Sequence, residues 1–203
     1  MAILVVNNRS SFLPDLCVRL TEFGIKHVVK GKKDRITKKE LKKYKGVILS
    51  GGPLLLDKKM YLDDISLDIQ VLLEENCPLL GICLGHQILS EMHGAKMKRL
   101  KDMVKGKETI KLIHQDPLFR GLKKTFKARE AHHECIAWLP DEFEHLATSK
   151  SCKYEAIKHI GKPIYGLQFH PEVSGKVGKT ILKNFLKMCG EKIKPRKVRK
   201  KKC

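Results

Sequence analysis

The chain has 203 residues, 42% of them hydrophobic and 32% charged, so it is long enough to bury one sizeable core. Its formal net charge is +20, because 42 Lys and Arg residues stand against 22 Asp and Glu residues. No stretch of about 18 apolar residues and no basic leader with a small-residue cleavage site occurs, which argues against a membrane span or secretory signal. We therefore expect a cytoplasmic protein that makes no contact with a membrane.

Apolar runs and helical spacing alternate along the first half of the chain. Strands are predicted at 2–7, 25–29, 46–50 and 78–82, and helices at 13–23, 65–74 and 84–93. Strands that alternate with helices favour a parallel sheet with helices on both faces. The sequence therefore predicts an α/β fold built on an open, mostly parallel sheet flanked by helices.

Beyond residue 95 the pattern changes to short strands joined by turns. These strands are predicted at 107–113, 125–128, 145–148 and 155–159, before a final apolar strand at 164–169 and a helix at 179–189. Strands without intervening helices indicate a partly antiparallel extension of the sheet. We expect one domain over 1–190, followed by a basic, disordered tail over 191–203.

The tail and the general positive charge allow two interpretations. Residues 194–203, KPRKVRKKKC, hold seven basic residues and could contact nucleic acid or an acidic protein face. No aromatic residue interleaves them to stack on bases, so a solvated, Lys-rich surface is favoured over a nucleic-acid interface.

The cysteines do not form a recognisable framework. All seven are scattered, without a Cys-x-x-Cys pair, at positions 17, 77, 83, 135, 152, 189 and 203. We expect neither disulfides nor a structural zinc site, and hence no metal in this chain. Among these thiols Cys83 alone has neighbours that suggest chemistry.

Cys83 lies in residues 81–87, GICLGHQ, where a predicted buried strand ends and a helix begins. Glycines two residues to either side permit a tight strand-to-helix turn, the geometry of a nucleophile elbow with cysteine in place of serine. The helix start favours a thiolate, and the N–H of Leu84 would face a developing oxyanion.

Two further polar segments follow predicted strands. In QFHPE, at 168–172, His170 and Glu172 are two residues apart, so an extended backbone would place both side chains on one side as an acid–base pair. In SGGP, at 50–53, a glycine-rich loop offers N–H groups for an oxyanion. Each feature alone is most often structural, but all three fall at carboxyl ends of strands in one sheet, where such folds bind ligands.

With these motifs the chain strongly resembles the class I, or triad, glutamine amidotransferases over about residues 1–190. The resemblance implies a flavodoxin-like fold and glutamine as substrate. It implies that Cys83 attacks the side-chain amide, that His170 protonates the departing ammonia and then activates water, and that Glu172 orients His170. It further implies an oxyanion hole at Gly52 and Leu84.

The resemblance also places the side chain of Gln87 against the amino-acid end of the substrate. His132, His133 and Glu134 match a substrate-binding loop that usually reads Ser-His-x-Asp in these relatives. This chain departs from that pattern because Ala131 lacks the hydroxyl and Glu134 is longer by a methylene. A second departure is residues 7–11, NNRSS, which we expect to face a partner and not to be catalytic.

Within the family, SGGP at 50–53 and HPEV at 170–173 resemble the separate amidotransferase subunit of archaeal-type GMP synthetases. Anthranilate and aminodeoxychorismate synthase components more often read SPGP and HPES. No SGGVDS-like ATP-binding loop occurs, so the resemblance implies a separate ATP-pyrophosphatase subunit that binds ATP and Mg²⁺ and converts XMP to GMP. A heterodimer or larger assembly is expected, with no cofactor in this chain.

Three alternatives remain open from the sequence. The chain could serve another synthetase of the anthranilate or aminodeoxychorismate type, or act alone as a cysteine hydrolase on γ-glutamyl compounds. A protein that binds RNA through the tail and keeps a vestigial pocket is the non-enzymatic alternative, which the intact triad disfavours.

Overall fold

A computed structural model describes residues 2–31, 34–53, 66–74 and 77–194. Its elements, in chain order, are β1 (Ala2–Asn7), α1 (Leu13–Glu22), β2 (His27–Gly31), α2 (Lys38–Leu41), β3 (Tyr44–Leu49), α3 (Ser66–Glu74), β4 (Leu79–Ile82), α4 (Leu84–Met92), β5 (Lys96–Leu112), β6 (Thr125–Trp138), β7 (Phe143–Thr148), β8 (Ala156–His159), β9 (Ile164–Leu167) and α5 (Gly175–Met188). Short 3₁₀ turns occur at Pro117–Phe119 and Pro171–Val173. The predicted α/β class is confirmed.

The described strands form one curled, mixed sheet of nine strands in the order β2-β1-β3-β4-β9-β8-β7-β5-β6. The pairs from β2 to β9 are parallel, and the pairs from β9 to β6 are antiparallel. The antiparallel extension is therefore confirmed, and it contributes four of the nine described strands.

Hydrophobic residues on alternate sides of the parallel strands fill two layers. In β1, Ile3 and Val5 pack with α1 and α5, whereas Leu4 and Val6 pack with α3 and α4 on the opposite face. A strand buried on both faces needs a continuous apolar run, which is why β1 is recognisable from its sequence. Helices on both faces leave the carboxyl edge of the strands open for a site.

The strands β5 and β6 form a ribbon that is much longer than the sequence predicts. Their pairing runs from Lys96 opposite Trp138 to Lys111 opposite Thr125, with an irregularity between Arg99 and Val104. Most side chains over 96–106 are exposed or half-buried. Because this part of the ribbon is stabilised by cross-strand pairing and contributes little to the core, it lacks the apolar pattern of a buried strand.

Some sequence predictions fall outside the described residues. These are Ile65, predicted to begin the third helix, and the part of the basic tail over 195–203. None of the helices in the described ranges is long and apolar enough to span a bilayer.

Candidate active site

Cys83 occupies the turn between β4 and α4, as the sequence predicts for a nucleophile elbow. Its backbone has φ 48° and ψ −103°, a conformation that non-glycine residues rarely adopt and that is typical of functional sites. A Cβ on Gly81 would lie 2.6 Å from the carbonyl oxygen of Gly85, and a Cβ on Gly85 would collide with the carbonyl oxygen of Leu49. The two glycines therefore let helix α4 cross the sheet closely enough to form the turn.

The thiol of Cys83 is only 4% exposed and has polar neighbours. Its Sγ lies 3.8 Å from the carbonyl oxygen of Ala131 and 3.7 Å from Nε2 of Gln168. Leu84 is the first residue of α4, so its N–H has no acceptor within the helix and points into the space before it. The helix start thus supplies donors and a positive dipole end beside the sulfur.

His170 and Glu172 form the predicted local pair, although the backbone between them is not extended as the sequence suggests. His170 caps the 3₁₀ turn Pro171–Val173, and this turn folds the carboxylate back so that Oε1 of Glu172 lies 2.8 Å from Nδ1 of His170. Because a carboxylate only accepts hydrogen bonds, the Nδ1–H donates to Glu172, and Nε2 remains for Cys83.

The charge state of His170 follows from its neighbours. Burial by itself would lower the pKa of the imidazole, but the Glu172 carboxylate and the Cys83 sulfur outweigh burial and raise the pKa to about 10. At neutral pH the arrangement therefore favours a protonated imidazole beside the Cys83 sulfur. The pair of side chains carries both a nucleophilic atom and the proton that a leaving amine requires.

The position of His170 is fixed from several sides. Its N–H donates to the carbonyl oxygen of Arg129 at 2.8 Å, and its carbonyl oxygen accepts from the hydroxyl of Ser174 at 2.6 Å. The ring of Phe12 meets the imidazole edge to face, with centroids 4.8 Å apart. These contacts hold the imidazole in one orientation beside the sulfur.

A cavity of about 270 Å³ opens over Cys83. Residues from four loops, helix α4 and strands β5 and β6 line it: Arg9, Ser10, Ser11, Phe12, Gly52, Pro53, Cys83, Leu84, Gln87, Met103, Ala131, His132, His133, Glu134 and His170. This volume is at the small end of the range for ligand pockets, and it suits an amino acid better than a nucleotide.

The predicted oxyanion loop lies at one wall of this cavity. A Cβ on Gly52 would lie 2.6 Å from Cδ2 of Leu84 and would collide with the carbonyl oxygen of Asn8. The loop is held by Asn8, whose N–H donates to the Ser50 hydroxyl at 2.9 Å and whose Nδ2 donates to the Ser50 carbonyl oxygen at 3.1 Å. Gly52 and Leu84 are thus brought together as predicted.

The predicted substrate-binding residues also line the cavity. Nε2 of Gln87 donates to the carbonyl oxygen of Glu134 at 2.9 Å and to Oε1 of Gln168 at 3.2 Å, which fixes the Gln87 side chain. Burial raises the pKa of the Glu134 carboxyl, and Glu134 is one of the residues that line the cavity. His132 and His133 complete this wall.

Part of the segment over residues 7–11 has a place that the sequence does not predict. Arg9, Ser10 and Ser11, together with Phe12, line the cavity, and Arg9 adopts a positive φ of 64°. That the segment also faces a partner stays a prediction. The position of this segment along the chain could have predicted its place in the cavity wall. It follows β1, and the carboxyl end of β1 lies on the same sheet edge as Cys83.

A second polar cluster lies behind the cavity wall, and the sequence does not predict it. Glu130 and Glu155 are fully buried and close to His132. Burial raises the pKa of both carboxyls, that of Glu155 to about 7, and the negative charge of Glu108 acts on both in the same direction. Burial lowers the pKa of His132 to about 4, so its imidazole is neutral at pH 7.

Comparison with known proteins agrees with the motifs and the geometry. The family described as "Glutamine amidotransferase class-I" matches residues 4–189. A Methanococcus aeolicus protein, named as a subunit of the glutamine-hydrolyzing GMP synthase, is 42% identical over 152 residues, which are 74% of this chain and 77% of that protein. A Pyrococcus furiosus protein of the same name is 33% identical over 190 residues, 93% of this chain and 99% of its own.

A solved structure is also similar. It is that of a Thermoplasma acidophilum protein, provisionally described as a GMP synthase subunit, which is 31% identical, with a TM-score of 0.84 over 94% of each chain. The similarity includes the antiparallel extension, because the match covers nearly the whole of both chains.

Proposed function

Because the chain belongs to the class I glutamine amidotransferase family, we propose that it is the glutamine-hydrolysing subunit of a two-subunit GMP synthase. The observation that carries this is a set of relatives, 33–42% identical over most of the chain, that are named as a subunit of that enzyme. The cavity over Cys83 supports it, since a volume of about 270 Å³ accommodates an amino acid such as glutamine.

In the proposed reaction, the Cys83 thiolate attacks the side-chain carbonyl carbon of glutamine. The oxygen becomes an oxyanion, which the N–H groups of Leu84 and Gly52 stabilise. The C–N bond then breaks, and the proton on His170 passes to the departing nitrogen, so that ammonia leaves and a thioester to Cys83 remains. The raised pKa of His170 ensures that this proton is present at neutral pH.

Hydrolysis of the thioester reverses the roles. The imidazole of His170, now neutral, takes a proton from water, and the resulting hydroxide attacks the thioester carbon. The C–S bond breaks, glutamate leaves, and the thiolate and imidazolium pair is restored. Glu172 accepts the hydrogen bond from Nδ1–H of His170 in both half-reactions, so Nε2 of His170 always faces the reacting atoms.

The cavity wall offers groups for the amino-acid end of glutamine. Arg9 and Glu134 both line the cavity, and they provide a cation for the α-carboxylate and a carboxylate for the α-ammonium. We propose that Gln87 positions the residues that bind the amino-acid end of glutamine. Its Nε2 donates a hydrogen bond to the carbonyl oxygen of Glu134 and so fixes this part of the cavity wall.

The ammonia acceptor belongs to a partner in this proposal. A separate ATP-pyrophosphatase subunit would bind ATP, Mg²⁺ and XMP, and would receive ammonia from the cavity over Cys83. The net charge of +20 would favour an acidic partner face. No cofactor is needed in this chain, because cysteine, histidine and glutamate suffice for amide hydrolysis.

Reconstitution with the separately expressed synthetase subunit from the same organism tests this function. With glutamine, ATP and XMP present, we expect GMP to form and glutamate release to rise at least severalfold above the rate of the isolated chain. If glutamine hydrolysis is strong in isolation and is changed by neither partner nor nucleotides, the chain is instead a stand-alone hydrolase.

A further inference from the structure

The buried cluster of Glu130, His132 and Glu155 contains a histidine nitrogen whose lone pair accepts no hydrogen bond from the described residues. Nδ1 of His132 lies 2.9 Å from the carbonyl oxygen of Glu134. Since a carbonyl oxygen can only accept a hydrogen bond, Nδ1 carries the proton and donates it. Nε2 of the neutral ring is therefore an acceptor, and it faces Glu130.

This nitrogen faces carboxylate oxygens that are also acceptors. Oε2 of Glu130 lies 3.4 Å from Nε2 of His132, and one ligand atom from each of Glu130, His132 and Glu155 lies within 4.8 Å of the other two. Oε1 and Oε2 of Glu130, Oε2 of Glu155 and Nε2 of His132 have no hydrogen-bond partner among the residues that the structure describes. When both carboxyls are ionised, several lone pairs thus converge on one point without a donor.

Burial makes this convergence costly. Glu130 and Glu155 are 0% exposed and His132 is 4% exposed, so water cannot screen the charges. Buried carboxylates require a compensating proton or cation. Glu108 lies close enough to add to the negative potential, but its own oxygens are occupied by the backbone N–H and hydroxyl of Ser151.

We propose that Glu130, His132 and Glu155 bind a divalent cation of the zinc type. A tetrahedral ion with bonds of about 2.0–2.1 Å holds neighbouring ligand atoms about 3.3–3.4 Å apart, which matches the distance from His132 to Glu130. Two carboxylates balance the charge of a divalent ion, and one imidazole with carboxylate oxygens is a ligand set that zinc accepts.

The surroundings of the three ligands have the arrangement expected around a metal. The non-ligating nitrogen of His132 donates to a backbone carbonyl, and Oε1 of Glu155 accepts a hydrogen bond from the hydroxyl of Ser149 at 2.7 Å. Such contacts fix the orientation of metal-binding side chains. They leave Nε2 of His132 and Oε2 of Glu155 for the ion.

A second group of possible ligands, at the surface, is satisfied without a metal. In the cluster His93, Glu142 and His159, Nδ1 of His93 is 2.6 Å from Oε1 of Glu142, which is a hydrogen bond. The N–H of Gly161 donates to Nδ1 of His159 at 3.0 Å. This surface cluster therefore provides a matched control.

The cation would act on the cavity through its ligands. It would tie β6, which carries Glu130 and His132, to Glu155 just before β8. Nδ1–H of His132 in turn donates a hydrogen bond to the carbonyl oxygen of Glu134, and this oxygen also accepts a hydrogen bond from Nε2 of Gln87. The ion would thus position the wall that receives the amino-acid end of the substrate.

Metal content tests the proposal independently of glutamine hydrolysis. We expect the full chain, purified without chelators or a histidine tag, to contain about one equivalent of zinc by plasma mass spectrometry. Zinc at about 100-fold over its Kd should raise the Tm of chelator-treated protein by about 5–10 °C. E130Q and E155Q should each lower bound zinc at least tenfold, whereas E142Q should leave it unchanged.

Each other outcome overturns the proposal. Protein that binds no zinc, manganese or magnesium and whose Tm does not respond to them has no cation at this point. A second outcome is that metal is absent and that E130Q is at least as stable as the unaltered chain. In that case a proton shared among Glu130, His132 and Glu155 takes the place of the ion. Loss of zinc in E142Q alone would place the metal at the surface cluster.

Discussion

Replacement of Cys83 by alanine is expected to reduce glutamate release from glutamine by on the order of 10⁴-fold or more, to the background rate. Cys83 provides the sulfur that forms the thioester, and no other cysteine lines the cavity in the described part of the chain. Alanine can adopt the positive φ of position 83 as readily as cysteine, so the fold should persist. The steady-state rate of glutamate formation, with circular dichroism as a check of folding, measures the effect.

Cys17 provides the matched control for this substitution. It lies on α1, is half-buried, and burial raises the pKa of its thiol, which keeps it unreactive at neutral pH. We expect Cys17→Ala to retain activity within about twofold. Substantial glutamate release by a folded Cys83→Ala variant would show that another group is the nucleophile.

The second large effect is expected from Glu172→Gln, which should lower kcat about 10³–10⁴-fold with little change in KM. The carboxylate is buried, fixes the Nδ1–H tautomer of His170 at 2.8 Å, and raises the pKa of the imidazole to about 10. A neutral amide removes the charge that keeps His170 protonated, so less imidazolium is available to protonate ammonia. The pH dependence of kcat measures this directly.

The sign of the pH effect is specific. In the unaltered chain the proton on His170 is lost only as the pH rises toward 10, whereas in Glu172→Gln the loss should occur at a lower pH. Glu22→Gln, which alters a carboxylate at the surface paired with Arg19 and Lys179, should leave both kcat and its pH dependence unchanged. Equal effects of the two substitutions would contradict a specific role for Glu172.

Part of this site is predictable because short, local constraints determine it. The turn at Cys83 requires glycines at 81 and 85, since any Cβ there would overlap backbone atoms, and these glycines are visible in the sequence. His170 and Glu172 are two residues apart and pair within one turn. Buried parallel strands such as β1 are recognisable from their continuous apolar runs.

The remaining parts depend on contacts between residues that are distant in sequence. Glu130 and Glu155 are separated along the chain. They come together because Arg129 pairs with His170 and the N–H of Gln168 donates to the carbonyl oxygen of Glu155. The first half of β5 is largely exposed and so has no apolar pattern to predict it. The pairing of His170 with Glu172 depends on a 3₁₀ turn at Pro171, which an extended conformation of QFHPE does not anticipate.

Arg9 illustrates why a loop is harder to assign than a turn with glycines. Nothing in NNRSS specifies a ligand, and only the sheet order, with β1 beside β3 and β3 beside β4, brings the end of β1 near the end of β4. Strand order assigns this segment to the cavity wall, but the sequence alone does not supply that order.

The most direct test of Cys83 as the nucleophile is intact-mass measurement after treatment with a glutamine-mimicking alkylator, followed by peptide mapping. We predict one adduct per chain, on Cys83, with glutamine slowing its formation, because the other described cysteines do not line the cavity. An adduct on a different cysteine, or labelling of Cys83 that glutamine does not slow, would contradict the assignment of Cys83 as the nucleophile that attacks glutamine.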